Sequence, residues 1–192
     1  IIKSGEKLVE IMGNAPHDYI MNYDKNTNLK FAHRTFNGTD LDFFFRSLHQ
    51  IYKESDLEAC FKGDEHSSLM TNISGFREIF FSTEHEYRSE KHISNPLKNS
   101  ACKRLIMYLR WMVRDHKKGV DFGIWKNIKP AQLYIPLDIH TGNISRKLGI
   151  LSRSQSDWKA SEELINYCRK LDPEDPAKYD FALFGLGAFE NF

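Results

Sequence analysis

Lys103 and Asp138 are the two side chains whose type and setting point to a specific chemistry. Asp138 lies in Ile135-Pro136-Leu137-Asp138-Ile139-His140. Pro136 breaks any helix reaching it and pushes the residue before it out of helical geometry. Asp138 then stands at the N-cap position of a run in which Ile139, Ile144 and Leu148 recur at near-helical spacing. A carboxylate at a helix cap is held in one orientation, and the backbone N–H groups and helix dipole favour its anion. Lys103 opens another amphipathic helix, 35 positions earlier (138 − 103). An amine at a helix N-terminus meets the positive end of the dipole, which favours its neutral, nucleophilic form. A nucleophilic amine paired with a fixed carboxylate is what attack on a sugar C1′ carbon requires. The carboxylate steadies the oxocarbenium-like transition state, and the amine displaces the base and forms a Schiff base.

The elements that must hold these groups read as helices. The pattern predicts a short helix over 2–12, stopped by Gly13-Asn14-Ala15-Pro16, then a loop-rich polar connection over 21–39. Thr39 or Asp40 is expected to cap a helix from Leu41 to about Lys53, with Phe44, Phe45 and Leu48 on one face. A short helix through Phe61 follows, then a longer one from Ser67 or Ser68 to about Ser82. Gly75 inside it costs roughly 1 kcal/mol against Ala, which implies close packing there. The Lys103 helix runs to about Asp115, the Asp138 helix to Leu148 before Gly149, and an Asp157-capped helix to Leu171. Asp175-Pro176 is the expected start of a last helix to about Ala188. No alternating strand pattern persists, so the fold class is all-α, with parts 1–93 and 94–192.

The segments Cys102-Lys103-Arg104-Leu105 and Leu137-Asp138-Ile139-His140 resemble the helix-hairpin-helix DNA glycosylase superfamily. The 8-oxoguanine glycosylase/lyase branches are the most similar, the archaeal one especially for its longer spacing. Leu109-Arg110-Trp111-Met112-Val113-Arg114 and Asp180-Phe181-Ala182-Leu183-Phe184-Gly185-Leu186-Gly187 resemble signatures of a bacterial group known only as a domain of unknown function near that superfamily. The superfamily resemblance covers roughly Ser94 to the end. It implies a helical bundle of two packed subdomains and a base-excision glycosylase and abasic-site lyase acting on a flipped base in damaged duplex DNA. It gives Lys103 the role of nucleophile, Asp138 that of carboxylate partner and His140 an accessory role. It implies no cofactor. Relatives with an iron–sulfur cluster use four closely spaced cysteines, and this chain has three scattered ones, Cys60, Cys102 and Cys168. The hairpin Asn95-Pro96-Leu97-Lys98-Asn99-Ser100-Ala101-Cys102 departs from the family in having no glycine, although Asn99 tolerates left-handed geometry. The insert 118–134 is a second departure, and its Trp125 is expected in the core.

Charge supports an anionic partner. Residues 98–153 hold twelve Lys/Arg against three acids, while the whole chain carries +1. Lys98, Asn99, Arg104, Arg110, Arg114, Lys117 and Arg146 are the expected DNA contacts. Lys103, Arg110, Arg114 and Lys117 fall on one side of their helix, opposite Leu105, Leu109 and Met112. Thr83-Glu84-His85-Glu86 with His92 has metal-capable side chains without a recognised ligand spacing, so no metal site is expected. The odd, sparse cysteine count points to a reducing compartment, with a bacterial cytoplasmic location expected. No apolar run is long enough to span a membrane. The absent initiator Met suggests that the native start is missing. Two other readings stay open: a catalytically silent nucleic-acid-binding module on the same scaffold, and a protein-interaction domain. Neither the damaged base nor the oligomeric state follows from the sequence.

Overall fold

A computed structural model describes residues 1–25, 28–63, 67–115 and 119–190. The protein is all-α, with a single two-stranded ladder among the described residues. The chain divides into two compact units, 1–61 with 75–93, and 62–74 with 94–192. The segment 62–74 therefore packs with the second unit, where a simple cut after residue 93 had put it in the first.

In the first unit, α1 (Ile2–Ile11) and α2 (Pro16–Met21) precede a short antiparallel ladder, β1 (Ala32–His33) and β2 (Phe36–Asn37). The helix α2 falls where the sequence pattern showed only a stop. Pro16 ends α1 as expected, but it does so as the first residue of the next helix, where its missing N–H costs nothing. The helix α3 (Gly38–Glu54) begins earlier than expected. Its cap is Asn37, and Asp40 is the third helical residue of a capping box: Asn37 accepts from the Asp40 N–H at 3.2 Å and Asp40 accepts from the Asn37 N–H at 3.0 Å. Gly38 is required here, because a side chain would run into the Leu29 carbonyl.

The buried face of α3 carries Leu41, Phe43 and Phe45. Leu41 and Phe45 join Met12, Ile20 and Phe31 in one core, and Phe43 packs on Phe80 and Phe81. Asp40 is completely buried and satisfied by Ser89 Oγ (2.7 Å) and Arg88, with His92 Nε2 3.2 Å away. Burial raises its pKa, but these donors and cations outweigh that and hold it below the ordinary value. His85 and His92, read as metal-capable, pair instead with Glu90 and Asp40. The helix α4 (Leu57–Phe61) closes this stretch, and α5 (Leu69–Phe80) follows. A side chain at Gly75 of α5 would meet open space, so the close packing expected there is absent. Residues 87–92 form a 3-10 turn.

The second unit contains α6 (Lys103–Val113), α7 (Ile139–Lys147), α8 (Trp158–Leu171) and α9 (Asp180–Phe189). Its core is formed by Ile106 and Leu109 of α6, Leu133 and Ile135, Ile144 of α7, and Leu164 and Ile165 of α8. Trp158 stacks on Tyr134 with ring centroids 5.2 Å apart. Trp125 is buried, as expected, and meets Tyr108 edge-on. The segment after α6 folds back on the helix end, with Phe122 N donating to the Trp111 carbonyl (2.7 Å) and Trp125 N to that of Met112 (2.8 Å). This pairing puts Asp121, Gly123 and Trp125 inward and leaves Phe122 and Ile124 exposed. Among the described residues, no helix is long and apolar enough to cross a membrane.

Candidate functional site

The turn before α6 has the geometry its sequence has to provide without glycine. Asn95 caps a 3-10 turn over Pro96–Lys98, Asn99 is left-handed (φ 60°), and so is Cys102 (φ 47°). The Asn99 side chain donates to Asp157 at 2.8 Å, and its carbonyl accepts from Trp158 N at 3.1 Å, which fastens the turn to the start of α8. Asp157 itself caps α8 through Ala160 N and is gripped by Arg153, which holds its carboxyl well below the usual range. Lys103 follows the buried Cys102 as the first residue of α6 and is exposed, as are Lys98 and Arg104.

Asp138 caps α7 as its sequence implies, accepting from Thr141 N at 2.9 Å, and it is half-buried. Gly149 (φ 69°) ends the segment beyond α7. Lys103 and Asp138 both lie at helix N-termini of the second unit, yet they form no ion pair with each other. His140 is exposed. Its Nδ1 lies 3.0 Å from the Gly187 carbonyl of α9, and its ring meets Phe184 edge-on at 5.7 Å.

The helices α7 and α9 approach closely at Gly187. A Cβ there would stand 2.9 Å from Ile144 Cγ1 and 3.0 Å from His140 Cβ. Gly187→Ala is expected to push α9 from α7 and cost about 1–3 kcal/mol. Gly185→Ala on the same helix meets open space and is expected to stabilise slightly through helix propensity. Urea midpoints of the two variants check this, and equal midpoints would contradict the close-approach argument.

Arg110 and Arg114 require a correction. Both were expected on an exposed basic face for DNA, and both are buried. Arg110 pairs with Asp121 (3.2 Å) and Asp180, and Arg114 with Asp121 (2.8 Å) and Asp175 (2.8 Å). The Phe181 ring lies against both guanidinium groups, 4.7 and 5.6 Å from its centroid. Arg110 on α6 and Arg114 at its C-cap thus share Asp121 and anchor the start of α9. Asp175 spends its carboxylate on Arg114 and gives no side-chain cap, so the helix expected from Pro176 opens instead as a 3-10 turn over Pro176–Tyr179 before α9. Arg146 is also partly committed, donating to the Arg153 carbonyl (2.8 Å) and Ser156 Oγ (3.1 Å). Lys117 lies outside the described residues.

The basic character of the block survives this correction. With Arg110, Arg114 and Asp121 withdrawn into the interior, residues 98–153 still hold ten basic residues against Asp115 and Asp138. Lys98, Lys103, Arg104, Lys126, Lys129 and Lys147 are exposed. The principal residue the sequence pattern missed is Asp180. Burial lifts its pKa to about 6, the neighbouring charge of Asp138 adds to the rise, and Arg110 opposes it. A carboxyl that takes up a proton near pH 6 therefore stands close to the candidate carboxylate. The signal was an isolated acid opening the otherwise apolar run Asp180–Phe189.

The site thus defines an all-α protein with an exposed lysine and a capping aspartate at two helix starts, set in a basic segment. Over residues 1–189 the sequence matches the family described as a protein of unknown function (DUF2400), and the chain belongs to that family. No curated protein and no solved structure matches it.

Proposed function

We propose that this protein is a DNA base-excision glycosylase and abasic-site lyase of the helix-hairpin-helix type, acting on damaged duplex DNA in a bacterial cytoplasm. The observation that carries the reading is the placement of Lys103, exposed as the first residue of α6 after a doubly left-handed turn, in the same unit as Asp138 at the cap of α7. The remaining surface charge of 98–153 supplies sequence-independent phosphate contacts, with Lys98, Arg104 and the Asn99 turn nearest the nucleophile in sequence. The Lys103 amine attacks C1′ of a flipped nucleotide, a C–N bond forms and the N-glycosidic bond breaks. The base leaves with the bonding pair and is protonated, while Asp138 steadies the sugar cation and takes the amine proton. Ring opening then gives a Schiff base, from which β-elimination cleaves the strand. His140, fixed by Gly187 and Phe184, borders Asp138.

A second reading, a silent DNA-binding module, is favoured by one observation. The Asp138 carboxylate is engaged with Thr141 N and makes no ion pair with Lys103. Borohydride trapping separates the two. Duplexes carrying 8-oxoguanine, uracil or an abasic site are mixed with the protein and with Lys103→Ala. The glycosylase/lyase reading expects a covalent adduct that the variant loses entirely. Salt-sensitive duplex binding without any adduct selects the silent module, and the absence of both overturns the nucleic-acid reading.

A further inference from the structure

The second unit contains a cavity of about 390 Å³ that neither Lys103 nor Asp138 lines. Its walls come from two stretches distant in sequence. Lys62, Gly63 and Asn72 stand on one side, and Asn127, Lys129 and Gln132 on the other, with Ile128 as the apolar contribution. The volume lies within the range of small-molecule sites.

Three features define the chemistry. First, among the described residues two lysines and no carboxylate line the cavity, which favours an anion. Second, three carboxamides line it, the side chains best suited to the donor and acceptor edges of a nucleobase. The Gln132 carbonyl is already taken by Lys129 N at 2.8 Å, so the amide end it has to offer is the NH₂. Third, Asn72 is buried, and its Oδ1 has no hydrogen-bond partner. A buried acceptor left unpaired costs about 1–3 kcal/mol, and a ligand N–H recovers it. Gly63 keeps this end open, since a side chain there would collide with Asn72 Oδ1 and Ser67 Oγ.

We infer that this cavity is a nucleotide-binding site, with the base N–H edge on Asn72 and the phosphate on Lys62 and Lys129. The same chemistry is presented by a free mononucleotide and by a nucleotide of a DNA or RNA strand. The site is separate from the Lys103–Asp138 chemistry and does not depend on it.

Calorimetric titration of the full chain tests this with AMP, GMP and CMP, with ribose 5-phosphate as the base-free control, and with short single-stranded oligonucleotides. The variants are Gly63→Ala and the double substitution of the exposed lysines, Lys62→Ala with Lys129→Ala. At least one nucleotide, free or in a strand, is expected to bind about tenfold more tightly than ribose 5-phosphate. Both variants are expected to weaken that binding by about tenfold or more; the lysine pair keeps the unfolding midpoint near that of the parent, whereas Gly63→Ala lowers it through its collision with Ser67 Oγ and Asn72 Oδ1. Binding of mononucleotides identifies a free nucleotide as the occupant, and binding of oligonucleotides alone identifies a strand. Ribose 5-phosphate binding as well as any nucleotide, nucleotide binding untouched by the lysine substitutions, or no saturable binding would each overturn the proposal. Schiff-base trapping that persists in the lysine variant leaves the Lys103 reading intact, so the two can fail separately.

Discussion

Arg110→Ala is expected to destabilise the protein by about 3–5 kcal/mol, the cost of removing one partner from a buried ion pair. Arg104→Ala, six residues away on the same helix (110 − 104) and exposed, is expected to change stability by no more than about 0.5 kcal/mol. The contrast follows from what Arg110 holds. It is the cation between Asp121 and Asp180, and its guanidinium lies on the Phe181 ring. Without it, Asp180 loses its opposing charge inside the protein and Asp121 is left to Arg114. Urea unfolding followed by circular dichroism reads both variants. If Arg110→Ala fails to fold, Arg110→Met with Asp180→Leu provides the comparison, because replacing both charges by apolar side chains avoids a stranded ion. That double variant is expected to recover most of the loss. An unchanged midpoint in Arg110→Ala would mean that the buried cluster is not what anchors α9. Under the proposed function the order is expected to reverse in DNA titrations, with Arg104→Ala weakening binding and flattening its salt dependence while the fold stays intact.

Asp180 is expected to make the protein lose stability as pH rises from about 4 to 7. Its folded pKa, about 6, lies above the ordinary value of 3.8. The folded state therefore binds the proton more tightly than the unfolded chain. The resulting stabilisation is fully present below about pH 4 and is lost as pH rises through about 6. The gap between the two values corresponds to about 3 kcal/mol. Carboxylates held low, Asp40, Asp157, Glu163 and Asp172, act in the opposite sense, stabilising at neutral pH and losing that contribution toward acid. Comparison with Asp180→Asn cancels them, since both proteins carry them. The stability of the parent minus that of the variant is expected to fall by about 2 kcal/mol between pH 4 and pH 7 in urea titrations. A difference independent of pH would show that Asp180 titrates normally. The cause is legible in the cluster: Asp121, Asp175 and Asp180 share Arg110 and Arg114, burial and the charge of Asp138 act on Asp180, and it takes up a proton near pH 6.

The caps of α7 and α8 were legible in the sequence, because Asp138 and Asp157 act on N–H groups three residues ahead and need no partner from elsewhere. The same local logic placed Lys103 at the start of α6, allowed Asn99 its left-handed turn and ended the α7 segment at Gly149. Local signals failed where one residue serves two elements or prefers a distant partner. Pro16 both stops α1 and starts α2, and Asp175 looks like a cap until Arg114 claims it.

Arg110 and Arg114 show the boundary most clearly. Their spacing determined that they share a face of α6, and helical periodicity is a property of the chain alone. Whether that face met solvent or the interior depended on Asp121, Asp175, Asp180 and Phe181, which come together only when the chain folds back on itself. A basic stripe and a buried ion cluster have the same sequence pattern, because charge and period carry no record of what packs against them. The sequence by itself therefore determined the all-α class, the helix starts that present Lys103 and Asp138, and the basic excess of 98–153. The tertiary structure decided which arginines are surface and which are core, why the pKa of Asp180 is raised, and where a polar cavity opens beside Asn72.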